Sequence, residues 1–376
     1  MVQKRHSRKG IFAILKAVIA ALNIAVGAFT VFSAYGGIMD PETSSSGAIA
    51  AMLFPIAIAA TVLFLIASLL WSGRMAVMNL LVIAACWSPL MSICPLNLFR
   101  ENPEKLAAEG DTVIKVVTFN TFGMDEFAAD TPSSPNRTLQ FMIDTDADVL
   151  LCQELHPELR SSVKGITAEQ IRDFEKRYPY RHIDNRGMGI FSKHPFEKVP
   201  LHYADSYKFD VCRYDVTMYG RVIHVFNLHL QSIGLTREDK RLYRHITQGD
   251  SDTDDIDDIR HGLLDKLSVA FCERAKQAAV VRDAVDSAGD SNVIVAGDFN
   301  DIPLCYAARL IAGDDLRDVY RTAGLGPQIS YHADRFYFRI DQMYVRGVLE
   351  PVRATCGGTF ASDHYPLSAW FTFSDK

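Results

Sequence analysis

The chain has 376 residues, with 39 Lys/Arg against 45 Asp/Glu and a formal net charge of −6. Its first hundred residues are largely apolar, which leaves residues 100–376 with 33 Lys/Arg against 43 Asp/Glu. That acidic balance is a poor electrostatic start for binding a long polyanion such as duplex DNA, although a local basic cleft stays open. The seven cysteines (Cys86, Cys94, Cys152, Cys212, Cys272, Cys305 and Cys356) show no paired metal spacing. Those beyond residue 100 mostly sit in apolar runs and read as buried thiols; a disulfide is open only if the region lies outside the cytoplasm.

Residues 1–99 read as a membrane anchor. After Lys4, Arg5, Arg8 and Lys9, apolar stretches run over about 11–36, 48–71 and 75–94, each near the roughly 20 residues that cross a bilayer core as a helix. A cleaved signal peptide competes for the first stretch, but its apolar run is long for that role. Pro89 is expected to kink the third. The basic start and Arg74, set against Asp40 and Glu42 in the other loop, favour a cytoplasmic amino terminus. Three spans then place residues 100–376 on the extracytoplasmic side of an inner or plasma membrane.

The remaining 277 residues can bury one large α/β core. A buried strand over 113–119 ends at Asn120. A helix with its apolar stripe at Leu139, Met142 and Ile143 follows, and Val149–Cys152 forms a second strand ending at Gln153-Glu154. Gly189–Ser192 is a short strand, and Arg221–Leu230 alternates as another, with Asn227 and His229 at its end. A long helix has its stripe at Phe271, Ala275, Ala278, Val281 and Val285, with Gly289 as a stop. The next strand, Val293–Val295, runs into Gly297-Asp-Phe-Asn-Asp301, where Gly297 is expected to turn the backbone sharply. A helix through Ala307 and Leu310 precedes strands holding Arg339-Ile-Asp341 and Leu367–Phe373. Strands and helices do not alternate strictly, so a mixed sheet is expected. The run Asp250–Asp258 fits no element. Its calcium-loop look fails at Asp255 and His261, where Gly and Glu belong, and it reads as a solvated insertion.

Asn120, Glu154, His229, Asp298, Asn300, Asp341, Asp363 and His364 all fall at or near strand ends. Singly each has a plain alternative: turn residue, cap or core histidine. Together they meet the demands of phosphate-ester hydrolysis, which needs a metal, a base that aims water, and donors for the transition state. Glu154 suits magnesium or manganese, and His364 titrates near neutrality with Asp341 able to fix its tautomer.

Seven segments in order carry a resemblance: Thr118-Phe-Asn120, Cys152-Gln-Glu154, Gly189–Lys193, Asn227–Leu230, Gly297–Asp301, Arg339–Asp341 and Ser362–His364. Over nearly all of 112–374 they resemble the endonuclease/exonuclease/phosphatase superfamily, the group of deoxyribonuclease I, exonuclease III, inositol polyphosphate 5-phosphatases and neutral sphingomyelinases. The resemblance implies an α/β (α+β) four-layer sandwich, two mixed sheets flanked by helices. It implies Glu154 as main metal ligand with Asn120 beside it and Asp363 as a second metal-side ligand. Asp298 would orient water, Asn300 and His229 would hold phosphate oxygens, and His364, held by Asp341, would contact the scissile phosphate. Many nucleases of the group place an arginine or tyrosine near the phosphate; Arg186, Arg213 and Tyr214 are the candidates here. The segment from Ser232 to Ser268 is long for the group and is expected to cover the mouth of the site.

The reading is therefore a membrane-anchored, Mg2+- or Mn2+-dependent phosphoesterase for which lipid head groups, sphingolipids or inositol phosphates are the favoured substrates. A nuclease of the same fold is the alternative, disfavoured by charge, and a non-catalytic membrane scaffold is a third. No obligate protein partner is evident.

Overall fold

In a computed structural model, the protein is described over all residues except 1, 125–133, 157–158, 160–164, 202–209, 235–252, 334–336 and 375–376. The chain falls into two compact units, residues 1–91 with 304–306 and residues 92–303 with 307–376.

The first unit is helical. Ala13–Ile38 and Phe54–Trp71 are long and apolar enough to cross a membrane. Gly73–Ala85 and Trp87–Ile93 would make a third span if the bent pair is one, at an angle of 62°. The bend follows from Pro89, which has no N–H to offer the carbonyl of Ala85. The Tyr35 hydroxyl donates to that freed carbonyl instead, at 2.5 Å. The expected helix over 48–71 is broken as well. Pro55 opens the helix Phe54–Leu69, so the preceding residues form a separate short helix, Ser46–Met52. Buried hydroxyls and amides join the helices, with Thr30 and Thr61 hydroxyls 2.8 Å apart and Asn79 donating to Ser68, as membrane bundles commonly do.

The second unit holds two six-stranded sheets of matching design. In chain order the strands are β1 (Ile114–Asn120), β2 (Val149–Gln153), β3 (Tyr180–Ile183), β4 (Gly189–Ser192), β5 (Phe196–Val199), β6 (Asp210–Met218), β7 (Arg221–His229), β8 (Asn292–Asp298), β9 (Arg317–Asp318), β10 (Asp341–Arg346), β11 (Leu349–Cys356) and β12 (Leu367–Phe373). One sheet runs β11-β12-β1-β2-β4-β3 and the other β5-β6-β7-β8-β10-β9. Each has one parallel pair at its centre, β1–β2 and β7–β8, flanked by antiparallel neighbours.

Alternation along the strands decides the layers. Val116, Leu151, Ile190, Tyr214, Val225, Ile294 and Met343 point between the sheets. The opposite faces of β7 and β8 pack on the helix Thr253–Asp286 through Ala278, Val281 and Val285. The opposite faces of β1 and β2 pack on Arg137–Asp144 and Ala168–Arg177 through Leu139, Met142 and Phe174. Helix, sheet, sheet and helix stack in that order, which is the expected four-layer sandwich. Each fully buried Val, Ile or Phe in these layers contributes about 1.5–3 kcal/mol.

Two local expectations change. The acidic run is helical from Thr253 onward, where it belongs to the helix Thr253–Asp286. Gly297 makes no turn. It lies inside β8, at φ 147°, where a Cβ would stand 2.0 Å from the Leu228 carbonyl oxygen of the neighbouring strand.

Candidate active site

Parallel strands end at a common edge, and antiparallel neighbours begin there. That rule gathers the polar residues. β7 ends at His229, β8 at Asp298 and β10 begins at Asp341, and these three stand in one row: His229 pairs with Asp298 and Asp298 with Asp341. On the facing sheet Asn120 pairs with Gln153, one residue before Glu154. β12 runs antiparallel to β1, so the turn 362–364 before it returns to the end of Asn120. Ser362 closes this junction, its hydroxyl donating to the Asn120 carbonyl (2.7 Å) and accepting the His364 N–H (3.1 Å).

The side chains then meet across the two sheets. Asn120 Nδ2 donates to Glu154 Oε1 at 3.1 Å and to Asp298 Oδ2 at 3.0 Å. His229 Nε2 lies 3.5 Å from Glu154 Oε1 and 3.8 Å from Asp298 Oδ2. His364 Nε2 lies 3.7 Å from the same Asp298 oxygen, and its Nδ1 is 2.7 Å from Asp341 Oδ2. The Asn300 N–H donates to Asp298 Oδ1 at 2.8 Å, and its amide donates to the Leu230 carbonyl. Glu154 and Asn300 both hold left-handed backbone, at φ 49° each. Such strain persists only where surroundings over-determine it, and it gathers at working sites.

Electrostatics separate the roles. Burial pushes the Asp298 carboxyl above its ordinary range, against the pull of His364. Burial alone would lower His364, yet the Asp341 and Asp298 carboxylates outweigh it and lift the imidazole to about 10. His364 is therefore an imidazolium at neutral pH. Asp298, Asp341 and His364 offer ligand atoms within 4.8 Å of one another, but that imidazolium already supplies the trio with positive charge. Glu154 differs: its side chain is 43% exposed and faces His229. Among the described residues, no Lys or Arg forms an ion pair with Glu154, Asp298 or Asp341. Asn120 turns its NH2 toward Glu154 while its Oδ1 accepts the Phe122 N–H at 3.1 Å, so the Glu154 carboxylate is the oxygen donor that fits a hard divalent cation.

Other candidates are placed differently. Asp363 sits in the same turn as His364, its backbone carbonyl accepting from the His332 N–H at 3.1 Å. Arg186 reaches Asp210 at 3.1 Å, and Asp210 is the strand partner of His229, so this guanidinium stands beside the cluster. Arg213 is not brought there. It is tied to Asp215 (3.0 Å) and His224 (3.0 Å) and lies over the Phe226 ring, on the face of β6 opposite the inter-sheet core. Tyr214 faces that core, its hydroxyl 3.1 Å from His182 Nδ1.

Supporting residues surround the cluster, and of these only Ser330 and Tyr331 carry no signal in the sequence. Asn227 crosses from β7 to donate to the Cys152 and Gly189 carbonyls and accepts from Gln153 at 2.6 Å, bridging the sheets beneath the site. Ser330 Oγ accepts the N–H of Asp341 at 2.8 Å, and Tyr331 packs edge-on to His364. A lone Ser or Tyr far along the chain carries no local pattern that would single it out.

The Endonuclease/Exonuclease/phosphatase family model matches residues 117–364, and the chain belongs to that family. Its members hydrolyse phosphoester bonds. A model described as a domain of unknown function (DUF8431) matches residues 16–93. No curated protein matches the chain. Among solved structures, the chain is similar to the endonuclease/exonuclease/phosphatase from Beutenbergia cavernae, at 19% identity over 70% of this chain and 72% of that one, with a TM-score of 0.48. It is similar to the endonuclease/exonuclease/phosphatase from Bacteroides vulgatus at 15% identity, over 70% and 100% of the two chains, with a TM-score of 0.43. D. rerio TDP2 complexed with a single strand DNA product is similar at 15% identity, over 69% and 99%, with a TM-score of 0.45.

Proposed function

We propose that the protein is a membrane-anchored, divalent-metal-dependent phosphoesterase whose favoured substrates are phospholipid head groups, sphingolipids or inositol phosphates. The observation that supports it is the polar cluster of Asn120, Glu154, His229, Asp298, Asp341 and His364, joined by hydrogen bonds and close ion pairs at one edge of two sheets. Glu154, with Asn120 beside it and Asp363 as a further ligand, would hold Mg2+ or Mn2+. When bound, the ion neutralises charge on the phosphoryl oxygens. Asp298, buried and braced by the Asn300 N–H, orients and deprotonates the attacking water. His229, Asn300 and Arg186 hold the non-bridging oxygens. His364, kept charged by Asp341, stabilises the phosphorane-like charge or protonates the departing oxygen. Two apolar helices near the amino terminus support anchoring, and the basic residues before them favour an extracytoplasmic site.

The test is hydrolysis by the full chain in detergent micelles, with and without Mg2+. The substrates are bis(p-nitrophenyl) phosphate, sphingomyelin, phosphatidylinositol phosphates and plasmid DNA. Lipid cleavage that disappears with chelator supports the proposal. Cleavage of DNA alone would establish the nuclease in its place, and silence on all four with metal bound would favour the scaffold.

A further inference from the structure

The helix Thr253–Asp286 buries a charge that the proposed reaction does not use. Arg274 is 1% exposed, and its guanidinium lies 4.8 Å from the Phe271 ring. Its Nε donates to Asp301 Oδ2 at 3.3 Å, in the turn after β8, and its Nη1 donates to the Gln231 carbonyl at 3.0 Å, in the turn after β7. One helical turn on, Gln277 accepts the Gln231 N–H at 2.8 Å. The same two turns are bonded to each other, Asn300 Nδ2 to the Leu230 carbonyl (2.9 Å) and the Leu230 N–H to the Asp298 carbonyl (2.9 Å).

Stability is a poor reason for this arrangement. A well-packed apolar pair generally holds a helix to a sheet as firmly as a buried ion pair does. What the guanidinium offers is a planar fork whose donors reach two acceptors at fixed angles. Those acceptors flank the site: Gln231 is two residues beyond His229, and Asp301 directly follows Asn300, which is held at φ 49°. We propose that Arg274 is a positioning residue, a single buried cation that ties the turns after β7 and β8 together and so sets His229 and Asn300. Its kinetic consequence rests on the phosphoesterase reading; its structural consequence does not.

Two variants of the full chain in micelles test this. Arg274→Lys keeps the charge but loses the fork. Arg274→Met with Asp301→Asn removes the pair without orphaning a charge. Amide exchange by mass spectrometry should quicken together over 228–232 and 298–302, with the melt still cooperative. With bis(p-nitrophenyl) phosphate and Mg2+, kcat should fall about ten- to hundredfold while KM changes little. Unchanged exchange in either stretch of a folded variant would overturn the proposal, as would quickened exchange with wild-type kcat. Failure of both variants to fold would assign Arg274 to stability alone and overturn it too. If the wild type itself shows no turnover on any substrate, the phosphoesterase reading fails, and exchange alone decides the role of Arg274.

Discussion

Glu154 and His364 stand on opposite sides of Asp298 in the polar cluster, and their surroundings assign them different kinds of test. Glu154 is half exposed and makes no buried ion pair, so Glu154→Gln should leave the melting temperature nearly unchanged while abolishing metal-dependent turnover. Near-wild-type rates in Mg2+ would remove it from the site. His364→Ala should lower kcat by about a hundredfold or more, the usual cost of losing an acid–base group or charge stabiliser. The pH dependence has a definite sign. The folded His364 value of about 10 lies above the unfolded value of roughly 6.5. Its contribution to stability is thus complete below that unfolded value and is lost as pH rises through about 10. The rate should decline along the same alkaline limb, and Asp341→Asn should move that limb to lower pH. Glu154 is legible in the sequence because it follows the apolar run Val149–Cys152, and His364 because Ser362-Asp-His364 stands just ahead of the apolar strand Leu367–Phe373. Arg274 is not. An arginine on an amphipathic helix reads as a solvated charge, and only the tertiary contact with Asp301 and Gln231 shows otherwise.

At the scale of elements, the legible strands were those buried on both faces. Val149–Cys152 and Val293–Val295 are apolar without interruption, as central parallel strands must be. β6 and β11 escaped notice for the opposite reason. β6 reads Asp-Val-Cys-Arg-Tyr-Asp-Val-Thr-Met, with Arg213 and Asp215 on the outer face beside His224. β11 carries Pro351 and a register shift between Pro351 and Arg353, which blur the alternation. A glycine beside an acid signals a turn in sequence, whereas Gly297 serves the close packing of two backbones. Gly297→Ala should therefore cost more than about 3 kcal/mol, since neither the φ nor the 2.0 Å approach to Leu228 can be kept. Chemical denaturation would measure it. A loss below about 1 kcal/mol would mean that β7 and β8 separate easily at that point.

For the molecule as a whole, sequence composition marked the apolar region and the α/β region, but prolines decided how the apolar part breaks into helices. Pro55 and Pro89 turn continuous hydropathy into shorter pieces. Sidedness is open to a direct check. If the basic start remains in the cytoplasm, protease added outside intact cells should digest residues beyond 100, and protection from it would invert the proposed orientation. The order of the strands carries one more consequence. The cluster joins Asn120, at the end of the first strand, to His364, just ahead of the last, and β12 lies directly against β1. A chain still on the ribosome therefore has all its amino-terminal apolar helices made long before it has a complete site. If those helices anchor the chain as proposed, newly made protein meets the membrane while the proposed hydrolysis still awaits the end of synthesis.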